Sequence, residues 1–305
     1  MTRLLTRGDL GALLEPSACL AALRDGFLAT GAATAVPGQR VRPDPPFTGT
    51  ATALIPGIEA CTVTVYDKSP DAGTGSRGVL CLRSGVDGEL LALLDSATVT
   101  AWRTGLAAAL GTHALAVPAR DAVVGVIGAG TQAELTLRGL GVLRPYGRLV
   151  VHDADVDRAT EFAVRHGGRV LGSATEIASV ADIVLLATRS RVPLLSLTDT
   201  REGQHFTTLG AAGRGGRELA AGLLDAALVA VDDRQLAASA GALARADIDT
   251  TLGDVLRGDH PGRTDPTARS VYAPVGPPWQ DLALARLAYE RAERDGVGRR
   301  VNLPG

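Results

Sequence analysis

"VVGVIGAGTQA", Val123 to Ala133, decides the fold: it sets Gly128, Gly130 and Ala133 in a G-x-G-x-x-A spacing, directly after an apolar run and at the head of a helical one. The spacing predicts a strand, a tight turn and a helix. The first glycine permits the turn, the second lets a pyrophosphate approach the backbone, and the small third residue lets helix pack on strand. Free N–H groups and the dipole at the helix start favour an anion. Gly128, Ala129, Gly130, Thr131, Gln132 and Ala133 are therefore read as a dinucleotide-binding loop.

Downstream, strand and helix patterns alternate: RLVVHD, VDRATEFAVRHG, DIVLLAT, HFTTLG and AALVAVDD. Such a series predicts a mainly parallel sheet covered by helices. RLVVHD ends in Asp153, roughly 20 residues past the loop, where a carboxylate accepts from a ribose 2′-OH and repels a 2′-phosphate. The expected cofactor is thus NAD(H) in preference to NADP(H). Asp155 is an alternative reader, and Arg158 argues in the NADP direction.

Upstream, residues 9 to 31 read as one helix or a helix pair around Pro16, and "CTVTVYD" and "GVLCLRSGVDGELLALLD" as strands, the latter two joined by a turn at Gly85 to Gly88. "SATVTAWRTGLAAALGTHALA" is helical, and the pattern changes at Pro118. A long amphipathic helix, "PPWQDLALARLAYERAERDG", closes the chain between Pro278 and Gly296. The expected domains are 1–116 with 280–305, and 117–279.

Composition narrows the classes of function. The 305 residues carry a net charge of −2, which gives neither nucleic acid nor an anionic membrane an electrostatic hold. Cys19, Cys61 and Cys81 are odd in number and widely spaced, and the five histidines form no ligand or triad pattern, so neither a disulfide framework nor a metal is expected. No run approaches the ~20 apolar residues of a membrane span. The N-terminus is a poor signal peptide, and a cytoplasmic location is expected. Lys68 is the only lysine among 31 Lys+Arg, leaving 31 − 1 = 30 arginines.

"ELLALLDSATVTAWRTG" (89–105), "VIGAGTQA", "ADIVLLATRSRVP", "LGAAGRGGREL", "VDDRQLAASAGAL", "LGDVLRGDHPGR" and "QDLALARLAYERAERDGVG" occur in that order. Together they resemble the ornithine cyclodeaminase/mu-crystallin family. The resemblance implies an α/β fold in which a Rossmann NAD(P)-binding domain is inserted into an α+β N-terminal domain for substrate and dimerisation, completed by the C-terminal helix. It further implies a homodimer, a small amine, imine or amino-acid-like substrate, hydride transfer at a carbon bearing nitrogen, and cofactor contacts at Thr104 and Thr188.

In such proteins an arginine after a proline, a lysine on the next strand and the arginine of T-A-x-R-T gather at the substrate carboxylate. Arg103 matches the last, and Arg40 or Arg42 the first. The lysine's place falls at Cys61 or Thr64, and Ala212 stands where the family's G-A-D-x-P-G-K-x-E-L has its aspartate. Lys68, beside Pro70 and Gly73, reads as a solvated loop residue. Candidate proton donors are Tyr66, Asp67, Lys68 and Asp281.

A methyl group cannot organise an amine. Cyclodeamination of ornithine is therefore disfavoured, and an imine or ketimine reductase or an amino-acid dehydrogenase is expected. The alternatives are a cyclodeaminase that uses other groups and a binding protein without turnover. Asp232 and Asp233 read equally as rim residues of a nucleotide site and as caps. Trp102 and Trp279 read as core or cleft.

Overall fold

The computed structural model describes residues 1–30, 40–41, 48–67, 77–210 and 216–303. Two compact units divide it, Met1–Arg103 with Pro277–Gly305, and Thr104–Gly276. The first opens with β1 (Thr2–Leu5), α1 (Arg7–Leu13) and α2 (Pro16–Ala29), followed by β2 (Arg40–Val41), β3 (Thr48–Ala53), β4 (Ala60–Asp67), β5 (Arg77–Ser84) and β6 (Leu90–Asp95). A capping box starts α1, Thr6 and Asp9 each accepting the other's backbone N–H. Pro16 sits at the first position of α2, where its missing N–H costs nothing, so the stretch around Pro16 forms the helix pair α1 and α2. After β6 the chain enters α3 (Ser96–Leu115), which runs on past Arg103.

The second unit comprises β7 (Val123–Ile127), α4 (Thr131–Leu143), β8 (Arg148–His152), α5 (Val156–His166), β9 (Arg169–Val170), α6 (Ala174–Val180), β10 (Ile183–Leu186), β11 (His205–Thr208), α7 (Ala221–Asp225), β12 (Ala227–Val231), α8 (Arg234–Ala238), β13 (Thr250–Thr251), α9 (Leu252–Arg257) and β14 (Arg269–Ala273). All eight strands are parallel, in the order β13-β12-β14-β11-β10-β7-β8-β9. The apolar runs of β7 and β10 and the mixed strand β11 are buried throughout, as strands inside a parallel sheet are. Val184, Leu186, Phe206, Val229, Val231 and Val271 form the centre of the core. Strand order reverses at β7, with β8 on one side and β10 on the other. Such a switch point opens a crevice at the carboxyl ends of the strands.

The chain then returns to the first unit as α10 (Trp279–Asp295), ended by Gly296 at φ +69°, and β15 (Arg299–Val301). The sheet there runs β15-β1-β6-β5-β4-β3-β2. Arg3, buried on β1, donates from Nε to Glu293 at 2.8 Å and from Nη1 to the Val297 carbonyl at 2.8 Å, which pins the end of α10 to the sheet. Trp279 meets Phe27 edge-on at 4.8 Å, so it joins the contact of α10 with α2. Period-two alternation divides the sheet. Thr62, Thr64, Leu80, Leu82, Ala92 and Leu94 are buried, whereas Val63, Val65, Val79 and Cys81 face the other way.

One polar cluster lies inside the second unit. His205 Nδ1 is 2.9 Å from Ser270 Oγ and Nε2 is 2.9 Å from Thr207 Oγ1, which is 2.6 Å from Thr112 Oγ1, and that hydroxyl reaches the Ala108 carbonyl at 2.7 Å. The Thr112 hydroxyl donates to Ala108, so the chain of bonds runs from a proton on His205 Nε2 through Thr207 to Thr112, while Ser270 Oγ lies between Nδ1 and the Leu115 carbonyl, 3.2 Å away. Burial, then the positive Arg263 and Arg144, depress His205 to about 3. Burial and Arg144 hold His113 low as well.

The folded state resists protonation of His205, so stability present above about pH 6.5 is lost progressively as pH falls towards about 3. Urea midpoints should drop across that window. His205→Asn should flatten the drop, and an unchanged slope would refute the assignment.

Candidate functional site

The loop after β7 is fixed by its glycines. Gly128 has φ +95°, its N–H donates to the His152 carbonyl at 2.8 Å, and a Cβ there would lie 2.7 Å from the Ala187 carbonyl oxygen. Gly130 caps α4 without a side-chain hydrogen bond, and a Cβ there would meet nothing within 4 Å. The first N–H groups of α4 are thus uncovered beside open space, as an anion requires. Gln132 Oε1 is buried without a partner among the described residues, and Ala133 is fully buried against the sheet. The two glycines should separate experimentally. Gly128→Val should lower Tm and NADH affinity together, whereas Gly130→Val should leave Tm unchanged and weaken NADH by about 100-fold or more. Equal Tm losses would contradict this division.

Asp153 follows β8 and is nearly enclosed. Its carboxylate accepts from the Ala129 N–H at 2.7 Å, the Asp155 N–H at 2.8 Å, and both Nε (3.1 Å) and Nη2 (2.7 Å) of Arg158. Burial alone would raise its pKa, but the Arg158 fork and the two backbone donors outweigh burial and hold it below the usual carboxylate range. Asp155 caps α5 by accepting from the Arg158 N–H at 3.2 Å.

A second carboxylate, which the sequence reading did not single out, organises the loops after β10 and β11. Glu218 is 1% exposed. It accepts from the Thr188 N–H (2.6 Å), the Thr188 hydroxyl (2.7 Å), the Thr208 hydroxyl (2.7 Å) and the Gly210 N–H (2.8 Å). The Thr188 hydroxyl proton is therefore committed to Glu218, while its methyl lies where a Gly128 Cβ would come within 2.9 Å. Asp232 accepts from the Val275 and Gly276 N–H groups, and Asp233 caps α8. Both carboxylates thus hold backbone.

In the first unit Arg103, buried on α3, donates from Nε to Asp281 at 3.1 Å, in the first turn of α10. Its two terminal nitrogens have no partner among the described residues. A guanidinium held through Nε presents those nitrogens as a two-pronged donor for a carboxylate. Thr64 is buried on the sheet face that α10 covers, whereas Cys61 is half-buried on the opposite face. The two positions considered for the missing lysine therefore cannot serve one ligand.

Arg40 lies on β2, with Ala51 opposite it, and Tyr66 and Asp67 end β4. Thr104 follows Arg103 on α3 and is half-buried. Arg42, Lys68 and Ala212 lie outside the described residues. Among the described residues no group of three His, Cys, Asp or Glu side chains could hold a metal, and no helix is long and apolar enough to cross a membrane.

Comparison with known proteins places these features in context. The pattern of the ornithine cyclodeaminase/mu-crystallin family matches residues 57–296. An archaeal alanine dehydrogenase, solved as a dimer with bound NAD, superimposes with a TM-score of 0.90 at 26% identity over 99% of each chain. The Δ1-pyrroline-2-carboxylate reductase of Thermococcus litoralis, solved with NADH and L-proline, gives 0.88 at 26% identity over 98% of this chain and all of the other. The ketimine reductase mu-crystallin of Rattus norvegicus is 30% identical over 234 residues, 75% of this chain and 74% of its own.

Proposed function

This chain belongs to the ornithine cyclodeaminase/mu-crystallin family, and we propose that within it the chain is a nicotinamide-dinucleotide-dependent oxidoreductase acting on a carbon–nitrogen bond, an imine or ketimine reductase or an amino-acid dehydrogenase. The observation that carries this reading is the loop geometry: uncovered helix N–H groups at Gly130, a left-handed Gly128 and two enclosed carboxylates bracing the turn. Alanine dehydrogenase and Δ1-pyrroline-2-carboxylate reductase among the relatives support the class of bond.

The dinucleotide, when bound, supplies or accepts hydride. Gly128 to Ala133 would hold its pyrophosphate. The chain's own contribution to substrate is Arg103, kept in place by Asp281 so that its free fork orients an acidic group. Lys68 is the only lysine in the chain, and neither Cys61 nor Thr64, where the family's lysine would fall, can carry a positive charge. Substrates without a second amine suit it better than ornithine, whose cyclisation needs that amine organised.

We also propose a homodimer, in keeping with the dimeric archaeal relative. On the sheet face turned away from α10, Val65 and Val79 are 40% and 45% exposed, and Val63, Cys81, Leu93 and Leu4 form a row across β4, β5, β6 and β1. An apolar face of that extent suits a second copy.

The reading is tested by NADH and NADPH oxidation against cyclic imines with and without a carboxylate, and 2-oxo acids with ammonium or amines. Turnover on an imine supports it. Conversion of ornithine to proline and ammonia with catalytic NAD and no imine reduction would replace it with cyclodeamination. Binding of dinucleotide with no turnover on any of these would favour a binding protein.

A further inference from the structure

The position after β8 is where an adenosine ribose would bring its 2′ substituent, and the residue expected to read it, Asp153, has no acceptor capacity left. A carboxylate offers about four lone-pair sites, and Asp153 meets four N–H donors: Ala129, Asp155 and two from Arg158. Its side chain is 8% exposed, whereas that of Arg158 is 51% exposed. Asp153 is thereby turned inward as a brace of the glycine loop, its negative charge matched by the guanidinium. Arg158 turns outward, with its Nη1 bonded to nothing among the described residues.

We propose that Arg158, and not Asp153, meets the 2′ substituent, and that the chain accepts a 2′-phosphorylated dinucleotide as well as the unphosphorylated one. The inference rests on the dinucleotide reading above and makes it more specific. A bare aspartate after this strand repels a 2′-phosphate. Here the repulsion is neutralised by an arginine that keeps exposed donors for an anion. The same donors serve a 2′-hydroxyl oxygen, so NADH is not rejected. Selection between the two forms therefore depends on one half-exposed side chain at the start of α5.

The test is fluorescence titration of the full chain with NADH and with NADPH, for wild type, Arg158→Leu and Arg158→Lys, with Tm recorded for each. Wild type should bind the two within about tenfold of one another. Arg158→Leu should weaken NADPH by about 10- to 100-fold and leave NADH within about threefold, because Asp153 regains acceptor sites as the phosphate loses its donor. Arg158→Lys should fall between, since charge is kept and the fork is lost. Added salt should weaken NADPH more than NADH at an exposed site.

An unchanged NADPH-to-NADH ratio in Arg158→Leu, at unchanged Tm, would overturn the proposal. So would wild-type rejection of NADPH by more than about 100-fold. Binding of neither nucleotide would instead remove the dinucleotide reading on which the proposal stands.

Discussion

Glu218→Ala should yield a chain that does not fold its second unit. Removing the carboxylate strands four buried donors: the N–H and hydroxyl of Thr188, the Thr208 hydroxyl and the Gly210 N–H. Each unsatisfied buried donor costs about 1–3 kcal/mol, so the sum, on the order of 4 kcal/mol at least, is a large part of the ~5–15 kcal/mol by which a domain is stable. Glu218→Gln separates stability from binding. Its amide keeps the shape and one acceptor oxygen but points an NH2 group at donors, so the variant should fold with a reduced Tm. Its NADH affinity should fall by about tenfold or more, because Thr188 no longer backs the Gly128 turn. Full NADH affinity in Glu218→Gln would show that this clamp is irrelevant to the loop.

The second large effect is expected at Arg103. Two hydrogen bonds from a guanidinium to an acidic group contribute about 1.5–3 kcal/mol each, so Arg103→Leu should lower kcat/KM by roughly 10²- to 10⁴-fold on a carboxylate-bearing substrate. NADH affinity should stay within about threefold of wild type. The variant also leaves Asp281 buried without its partner, an expense of ~3–5 kcal/mol. Arg103→Leu with Asp281→Leu should recover that stability without recovering activity. A kcat/KM within tenfold of wild type in the folded double variant would remove Arg103 from substrate binding. A substrate lacking the acidic group should be affected far less, which distinguishes lost recognition from general disruption.

Much of the second unit could be read in advance, because parallel strands buried on both faces leave uninterrupted apolar runs such as VVGVI and DIVLL. β14 could not be placed, since it enters between β11 and β12 only after the chain has passed through α8, β13 and α9. β1 and β15 were missed because strands of four and three residues show no usable alternation, and β15 pairs only with β1, across the length of the chain. Asp153 could be found by spacing, but the Arg158 fork could not, because it depends on how α5 leaves its Asp155 cap. Glu218 stood in the motif "GREL" with no local signal of its role: three of its four bonds come from Thr188, in the loop after β10, and Thr208, at the end of β11. The opposite orientation of Cys61 and Thr64 was legible, since residues three apart on a strand face opposite ways.

Hydride transfer at a carbon bonded to nitrogen is visible in isotopic labelling. The chain would be given NADH carrying deuterium at C4 of the nicotinamide, each face labelled in turn, with an imine that it turns over. The amine product would then be analysed by mass spectrometry and NMR. One deuterium should appear on the carbon bearing nitrogen, from one face only. A product without deuterium, an alcohol formed by carbonyl reduction, or label on any other carbon would contradict it.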